Sequence, residues 1–274
     1  MTISEALRHA TTRLTATSDT PRLDAELLMA HALGVTRSDL LLRHLREPAP
    51  TGFTPLVERR TAHEPVAYII GEAEFYGRSF RVTPATLIPR PDSETLIRAA
   101  LELKPGAQRV LDLGTGTGAL LLTYLAENLN AMGCGIDASK AACAVAAANA
   151  DRLDLATRAT ILCRSWAEAG WQDGLGTFDL ILCNPPYVED GADLLPDVRE
   201  YEPASALFAG PDGLDDYCIL IPQLRALINL NAVAIFEIGA TQADSVAIIA
   251  LQHHFTAQLV HDLARRPRAL ILRA

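Results

Sequence analysis

Long apolar runs are missing from this chain. Nearly half of its residues are hydrophobic, yet no uninterrupted stretch is long enough to cross a bilayer. The opening residues, Met1-Thr2-Ile3-Ser4-Glu5, carry no basic patch followed by an apolar segment, so a signal peptide is not expected and a cytoplasmic location is. Cysteine is sparse. Cys134, Cys143, Cys163, Cys183 and Cys218 are odd in number and widely spaced, with no Cys-x-x-Cys pair and no Cys/His cluster. That pattern argues against a disulfide framework and against a zinc site, so no metal is expected. The thiols read as small apolar groups kept reduced. The seven histidines are scattered, and His253-His254 has no carboxylate partner in sequence, so a surface or packing role is expected there rather than catalysis.

A basic excess is also lacking. The net charge is −9, and residues 1–65 hold equal counts of acidic and basic side chains, so the whole acidic surplus lies downstream. Tight sequence-independent binding of nucleic acid rests on Lys and Arg neutralising phosphates. An acidic second half argues against it, and no direct nucleic-acid contact is expected. At 274 residues the chain is long enough for one large domain or two.

What is present falls into three regions. Residues 1–71 read as a small helical domain: Leu23, Leu27, Leu28 and His31 recur at helical spacing, and Gly34 stands where a C-terminal cap falls. Thr36-Arg37-Ser38-Asp39 has the look of a second helix start, and residues 54–62 of a further helix. Residues 72–90 form a linker in which two short strands flank the turn at Gly77. From residue 91 to 274 strands and helices alternate, after Asp92 or Ser93 caps a helix beginning at Glu94. Strands are expected at 110–113, 133–137, 159–162, 178–183 and 232–238, closed by an antiparallel pair at 258–261 and 269–272. This is the pattern of an α/β fold, a doubly wound, mostly parallel seven-stranded sheet of Rossmann-like type. In such sheets ligands bind outside the carboxyl ends of the strands, where the strand order reverses.

Two motifs sit at such strand ends. Asp112-Leu113-Gly114-Thr115-Gly116-Thr117-Gly118 hands a strand over to a helix. Its glycines let the backbone turn tightly and let a ligand approach the amides. A lone G-x-G-x-G is weak, because dinucleotide loops look alike. Asp112, however, would repel a pyrophosphate and suits the ammonium of an amino-acid-like cofactor. Asp137, ending the next strand, is placed to accept hydrogen bonds from ribose hydroxyls. Together they fit S-adenosyl-L-methionine better than a nicotinamide dinucleotide.

The second motif is Asn184-Pro185-Pro186-Tyr187, which follows the apolar run Phe178-Asp179-Leu180-Ile181-Leu182-Cys183. Neither proline can donate to a sheet ladder, and the residue before each is pushed out of the helical region. The chain is therefore held extended at the strand's mouth. An amide side chain, free carbonyls and an aromatic ring within four residues suit the gripping of a planar –NH2 group.

The glycine loop, Asp137 and Asn184-Pro185-Pro186-Tyr187 together resemble the class I S-adenosylmethionine-dependent methyltransferases that act on planar nitrogen. Within that group the chain resembles the peptide chain release factor N5-glutamine methyltransferases. The matching words extend over most of its length, from Arg22-Leu23-Asp24-Ala25-Glu26-Leu27-Leu28 and Glu64-Pro65-Val66-Ala67-Tyr68-Ile69-Ile70-Gly71 through Leu87-Ile88-Pro89-Arg90-Pro91-Asp92-Ser93-Glu94. Tyr201-Glu202-Pro203, Asp212-Gly213-Leu214 and Glu237-Ile238-Gly239 continue the match. The N-terminal words matter most, since adenine-N6 DNA methyltransferases share Asn-Pro-Pro-Tyr but are not expected to share those.

The resemblance implies a methyl transfer from S-adenosyl-L-methionine to the side-chain amide nitrogen of a glutamine in a class 1 peptide chain release factor, the glutamine of its GGQ motif. It implies that Gly114, Thr115, Gly116, Thr117 and Gly118 line the methionine end of the cofactor, that Asp137 holds the ribose and that Trp166 flanks the adenine. Asn184 would touch cofactor and substrate, while Pro185, Pro186 and Tyr187 complete the substrate grip. The helical domain over residues 1–71 would recognise the protein partner, and a monomer is expected. Two departures stand out: Ser165 replaces an acidic residue common before Trp166, and Ser93 replaces a common threonine. A ribosomal-protein glutamine methyltransferase is the nearest alternative; a DNA adenine methyltransferase fits the acidic balance poorly.

Overall fold

The computed structural model describes all of residues 1–274, and the chain divides into two compact units. The first comprises Met1–Glu72 and, from much later in the sequence, Leu194–Tyr201. It contains α1 (Ile3–Leu14), α2 (Pro21–Leu33), α3 (Arg37–Asp39) running on into a π-helical segment Leu40–His44, α4 (Phe53–Thr61) and α5 (Val66–Ile70). A capping box opens α1: Thr2 Oγ1 accepts the Glu5 amide at 3.3 Å, and the Glu5 carboxylate accepts the Thr2 amide at 2.8 Å. Gly34 closes α2 in the left-handed region at φ 68°, as its sequence position implied. Ile3, Leu7, Leu14, Leu28, Met29 and Leu40 fill an apolar core. Beside it Arg60, 6% exposed, pairs with Asp24 at 2.8 Å and lies 3.8 Å from Asp197. A buried guanidinium needs such partners, because one left unpaired costs several kcal/mol.

The second unit comprises Ala73–Asp193 and Glu202–Ala274. The chain enters it through a two-stranded hairpin, β1 (Glu72–Phe75) and β2 (Arg78–Arg81), turning at Tyr76-Gly77. A 3-10 turn, Pro91–Ser93, then leads into α6 (Glu94–Leu103). The main sheet follows with β3 (Arg109–Leu113), α7 (Ala119–Glu127), β4 (Met132–Asp137), α8 (Lys140–Arg152), β5 (Ala159–Cys163) and β6 (Phe178–Cys183). After α9 (Pro196–Tyr201), which belongs to the first unit, come α10 (Asp215–Gln223), β7 (Ile228–Glu237), α11 (Ala243–Gln252), β8 (Thr256–His261) and β9 (Pro267–Arg273).

Seven strands form one sheet in the order β5-β4-β3-β6-β7-β9-β8. All neighbours are parallel except β9, which runs antiparallel to both β7 and β8. The expected sheet is thus present, with its closing antiparallel pair. Alternate residues of the central strands face opposite sides. Val110, Leu180, Leu182, Val233 and Ile235 meet α6 and α7 on one face. Leu111, Leu113, Ile181, Cys183, Ala234 and Phe236 meet α10 and α11 on the other. Burial on both sides is why β6 reads as a nearly continuous apolar run. The strand order reverses between β3 and β6, and there Leu113 is paired with Cys183.

Candidate active site

The pairing of Leu113 with Cys183 launches two loops side by side: Gly114 follows one strand and Asn184 the other. They wall a cavity with about 950 Å3 of atom-free space, some of it open to solvent. Gly114, Thr115, Gly116 and Thr117 line it, with Asp137, Trp166, Asn184 and Pro186. Leu87, Pro89, Arg90 and Ser93 contribute from the proline-rich stretch after the hairpin. Of the residues expected at the site, Asp112, Gly118, Pro185 and Tyr187 do not line this cavity.

Local geometry explains the loop's composition. Gly114 has φ 73°, and a Cβ there would stand 3.2 Å from the Trp166 ring. Gly118, at the N-terminal end of α7, has φ 81°, and its Cβ would stand 2.8 Å from Leu122. Both positions combine a backbone region unfavourable to other residues with close neighbours. Asp137 clamps the loop from the next strand: Oδ2 accepts the Gly116 amide at 2.9 Å, and Oδ1 accepts the Ser139 amide at 2.8 Å. Each oxygen keeps a further lone pair.

Asp112 lies beneath the loop. Its Oδ2 accepts the Thr115 hydroxyl at 2.7 Å, while Oδ1 has no partner within the protein. Burial, reinforced by the charge of Asp137 and opposed by the Thr115 hydrogen bond, pushes its carboxyl up to about 7. The Trp166 ring leans on Gly114, and its Nε1 donates to Asp216 Oδ1 at 2.7 Å. Trp166 therefore packs on the core beneath the sheet's second face and lines the cavity as well. Ser165 makes only a local turn, accepting the Ala167 amide at 3.3 Å.

Around the Asn-Pro-Pro-Tyr segment, the backbone is held by neighbours that the sequence did not single out. Tyr187 and Val188 donate their amides to the Leu207 carbonyl at 3.2 and 2.8 Å. Gln242 spans three segments: Nε2 donates to the carbonyls of Tyr187 (3.0 Å) and Gly213 (3.1 Å), and Oε1 accepts the Gly239 amide at 2.9 Å. Nothing in sequence marks Gln242. The Asn184 side chain makes no hydrogen bond within the protein, and the Pro185 carbonyl takes part in no turn or loop hydrogen bond.

The Tyr187 hydroxyl is turned inward, donating to Glu237 Oε1 at 3.4 Å. Burial, and then the neighbouring Glu237, raise its pKa well above that of a free phenol. Glu237 is 1% exposed, and burial pushes its carboxyl up to about 7 against the opposing pull of Ser93, Arg268 and Tyr187. Glu202 ties the proline-rich stretch down by accepting the Ile88 amide at 3.3 Å and pairing with Arg90. Ser93 does not cap α6, contrary to expectation: it stands at the N-cap in a helical conformation, and its hydroxyl makes no cap bond. The preceding 3-10 turn takes up the helix entry instead.

Similarities to known proteins agree with this arrangement. Residues 5–71 match the PrmC N-terminal domain family, and residues 92–199 match the methyltransferase small domain family. The release factor glutamine methyltransferase of Nitratidesulfovibrio vulgaris is 37% identical over 282 residues, covering 99% of this chain and 95% of its own. That of Cereibacter sphaeroides is 43% identical over 254 residues, covering 90% of this chain and 89% of its own. Among solved structures, a methyltransferase from Pyrococcus furiosus matches 72% of this chain and 89% of its own at 15% identity, with a TM-score of 0.54. That last likeness speaks for the fold alone.

Proposed function

The chain belongs to the release factor glutamine methyltransferase family, and on that premise we propose that it transfers a methyl group from S-adenosyl-L-methionine to the N5 side-chain nitrogen of a glutamine in a class 1 peptide chain release factor. The observation that carries this reading is the Leu113–Cys183 register, which brings the glycine loop and, from the Asn-Pro-Pro-Tyr segment, Asn184 and Pro186 to one cavity. A donor loop and an acceptor clamp at adjacent strand ends are what a direct group transfer requires.

The residues present suit the cofactor. Glycine at 114, where a Cβ would press on Trp166, leaves the loop backbone open to a ligand. Asp137 keeps lone pairs for ribose hydroxyls, and Trp166 offers an aromatic wall for a purine. When bound, S-adenosyl-L-methionine supplies a methyl group on a positively charged sulfur.

The chain's own contribution is positioning. A glutamine amide nitrogen is a poor nucleophile, since its lone pair is delocalised into the carbonyl. Holding it on line for an in-line displacement contributes several kcal/mol, up to about 7–11 in ideal models. Asn184 Oδ1 and the Pro185 carbonyl, both without internal partners, accept the two amide N–H groups. As the nitrogen gains the methyl and turns positive, these acceptors stabilise it, the logic of an oxyanion hole with signs reversed. No strong base is needed beforehand, because the N–H becomes acidic only as the new bond forms.

The helices of the first unit are the region we assign to recognition of the release factor, supported by the family match over residues 5–71. The test is direct. The purified protein is incubated with methyl-labelled S-adenosyl-L-methionine and, separately, a class 1 release factor, ribosomal protein and DNA. Label should enter the release factor at a glutamine; label only in ribosomal protein or DNA would overturn the proposal.

A further inference from the structure

An amide acceptor has three polar features: two N–H groups and a carbonyl oxygen. The clamp supplies acceptors for the first two, at Asn184 and Pro185, and leaves the oxygen needing a donor. Buried in a water-poor cleft without one, that oxygen would lose about 1–3 kcal/mol of binding.

Two of the donors beside the cavity are already engaged: Thr115 donates its hydroxyl to Asp112, and Arg90 is drawn to Glu202. The Ser139 hydroxyl accepts from Ala142 in capping α8. Six buried side-chain polar atoms in the whole molecule lack a hydrogen-bond partner, on Thr17, Ser93, Asp112, Thr123, Glu237 and Arg268. Of these residues Ser93 is the one that lines the cavity. It is 4% exposed and makes no cap to α6, so helix capping does not account for its hydroxyl.

Ser93 also adjoins the clamp. It faces Glu237 closely enough to help hold that carboxyl's pKa down, yet neither Ser93 Oγ nor Glu237 Oε2 completes a hydrogen bond of regular geometry. The other Glu237 oxygen accepts the Tyr187 hydroxyl. Three segments far apart in sequence thus meet: the turn at 91–93, the end of β7 and the Asn-Pro-Pro-Tyr strand exit.

We propose that the Ser93 hydroxyl donates a hydrogen bond to the carbonyl oxygen of the acceptor glutamine, completing amide recognition. This rests on the glutamine-methyltransferase reading and adds to it the donor that the carbonyl oxygen of the acceptor needs.

The experiment compares wild type, Ser93→Ala and Ser93→Thr for kcat and KM with a purified release factor, for cofactor Kd by calorimetry, and for thermal melting. Because the hydroxyl completes no regular hydrogen bond inside the protein, Ser93→Ala should melt close to wild type. Its KM for the release factor should rise tenfold or more, with kcat and cofactor Kd within about threefold, the signature of a contact made equally in ground and transition states. Ser93→Thr, which keeps the hydroxyl, should restore KM to within threefold of wild type. An unchanged KM in Ser93→Ala, an equal loss of cofactor affinity, or a threonine variant as poor as alanine overturns the inference while the proposed function stands. A wild-type protein that binds cofactor but methylates no glutamine overturns both.

Discussion

Asn184 and Asp137 line one cavity, and their surroundings assign them different losses on truncation. Asn184 has no internal hydrogen bond to lose, so Asn184→Ala should leave cofactor affinity within about tenfold, roughly 1.4 kcal/mol. Methyl transfer to the release factor should disappear, and near-normal turnover would refute the acceptor role. Asp137 holds the amides of Gly116 and Ser139 in place. Asp137→Ala should therefore fail first at cofactor binding, with Kd weakened more than tenfold in calorimetry, whereas an unchanged Kd would count against its ribose assignment. Both residues were legible because they end apolar strands. Gln242 and Ser93 were not: a glutamine on a helix start and a serine before a helix look like ordinary solvated side chains and an ordinary cap. Their significance comes from neighbours distant in sequence, Tyr187 for Gln242 and Glu237 for Ser93, which no local pattern encodes.

Among the elements, the central strands buried on both faces are read correctly from the sequence. β3 and β6 present only apolar choices at most positions, because helices cover both sides of the sheet. β7 starts four residues earlier than its apolar core suggests, at Ile228, since Asn229 and Asn231 lie in its exposed, irregular beginning, where Asn231 takes φ 64°. α10 was hidden by Pro222 in its last turn, a residue that usually argues against a helix. α1 carried a readable Thr-x-x-Glu capping box that the apolar spacing of α2 overshadowed. The strand-to-helix turn before α7 offers a test at this scale. Gly118→Ala must place a Cβ at φ 81°, 2.8 Å from Leu122, and should cost about 1–3 kcal/mol in urea unfolding. A variant as stable as wild type would mean that the loop relaxes without strain.

For the molecule as a whole, the two buried carboxyls raised to about 7, Asp112 and Glu237, tie stability to pH. Below the ordinary carboxylate range both are neutral folded and unfolded. As pH climbs from there, the unfolded chain ionises them while the fold keeps them protonated, so stability falls until about pH 7 and then levels off. For Glu237 the rise from 4.5 to about 7 corresponds to a few kcal/mol, on the order of 3. Glu237→Gln should therefore raise the melting temperature at pH 8 and leave it nearly unchanged at pH 5, where wild type already carries the neutral acid. Equal effects at both pH values would show that the carboxyl's charge is not the cause. Glu26 and Asp179, whose pKa values hydrogen bonds lower despite their burial, work the other way and withdraw support as pH falls through the acid range.

The first unit takes Leu194–Tyr201 from within the stretch of sequence that otherwise forms the second unit. Tyr201 donates its hydroxyl to the Ala62 carbonyl at 2.6 Å, and Asp197 stands near buried Arg60. During synthesis the helices before residue 72 are made first but cannot be completed until residue 201 has left the ribosome. At roughly 5–20 residues per second, that delay is on the order of ten seconds. For its duration the nascent helices lack their last helix, which makes this stretch a natural client for a chaperone. For the same reason, a gene fragment cut at residue 72 does not encode the unit that the finished protein contains.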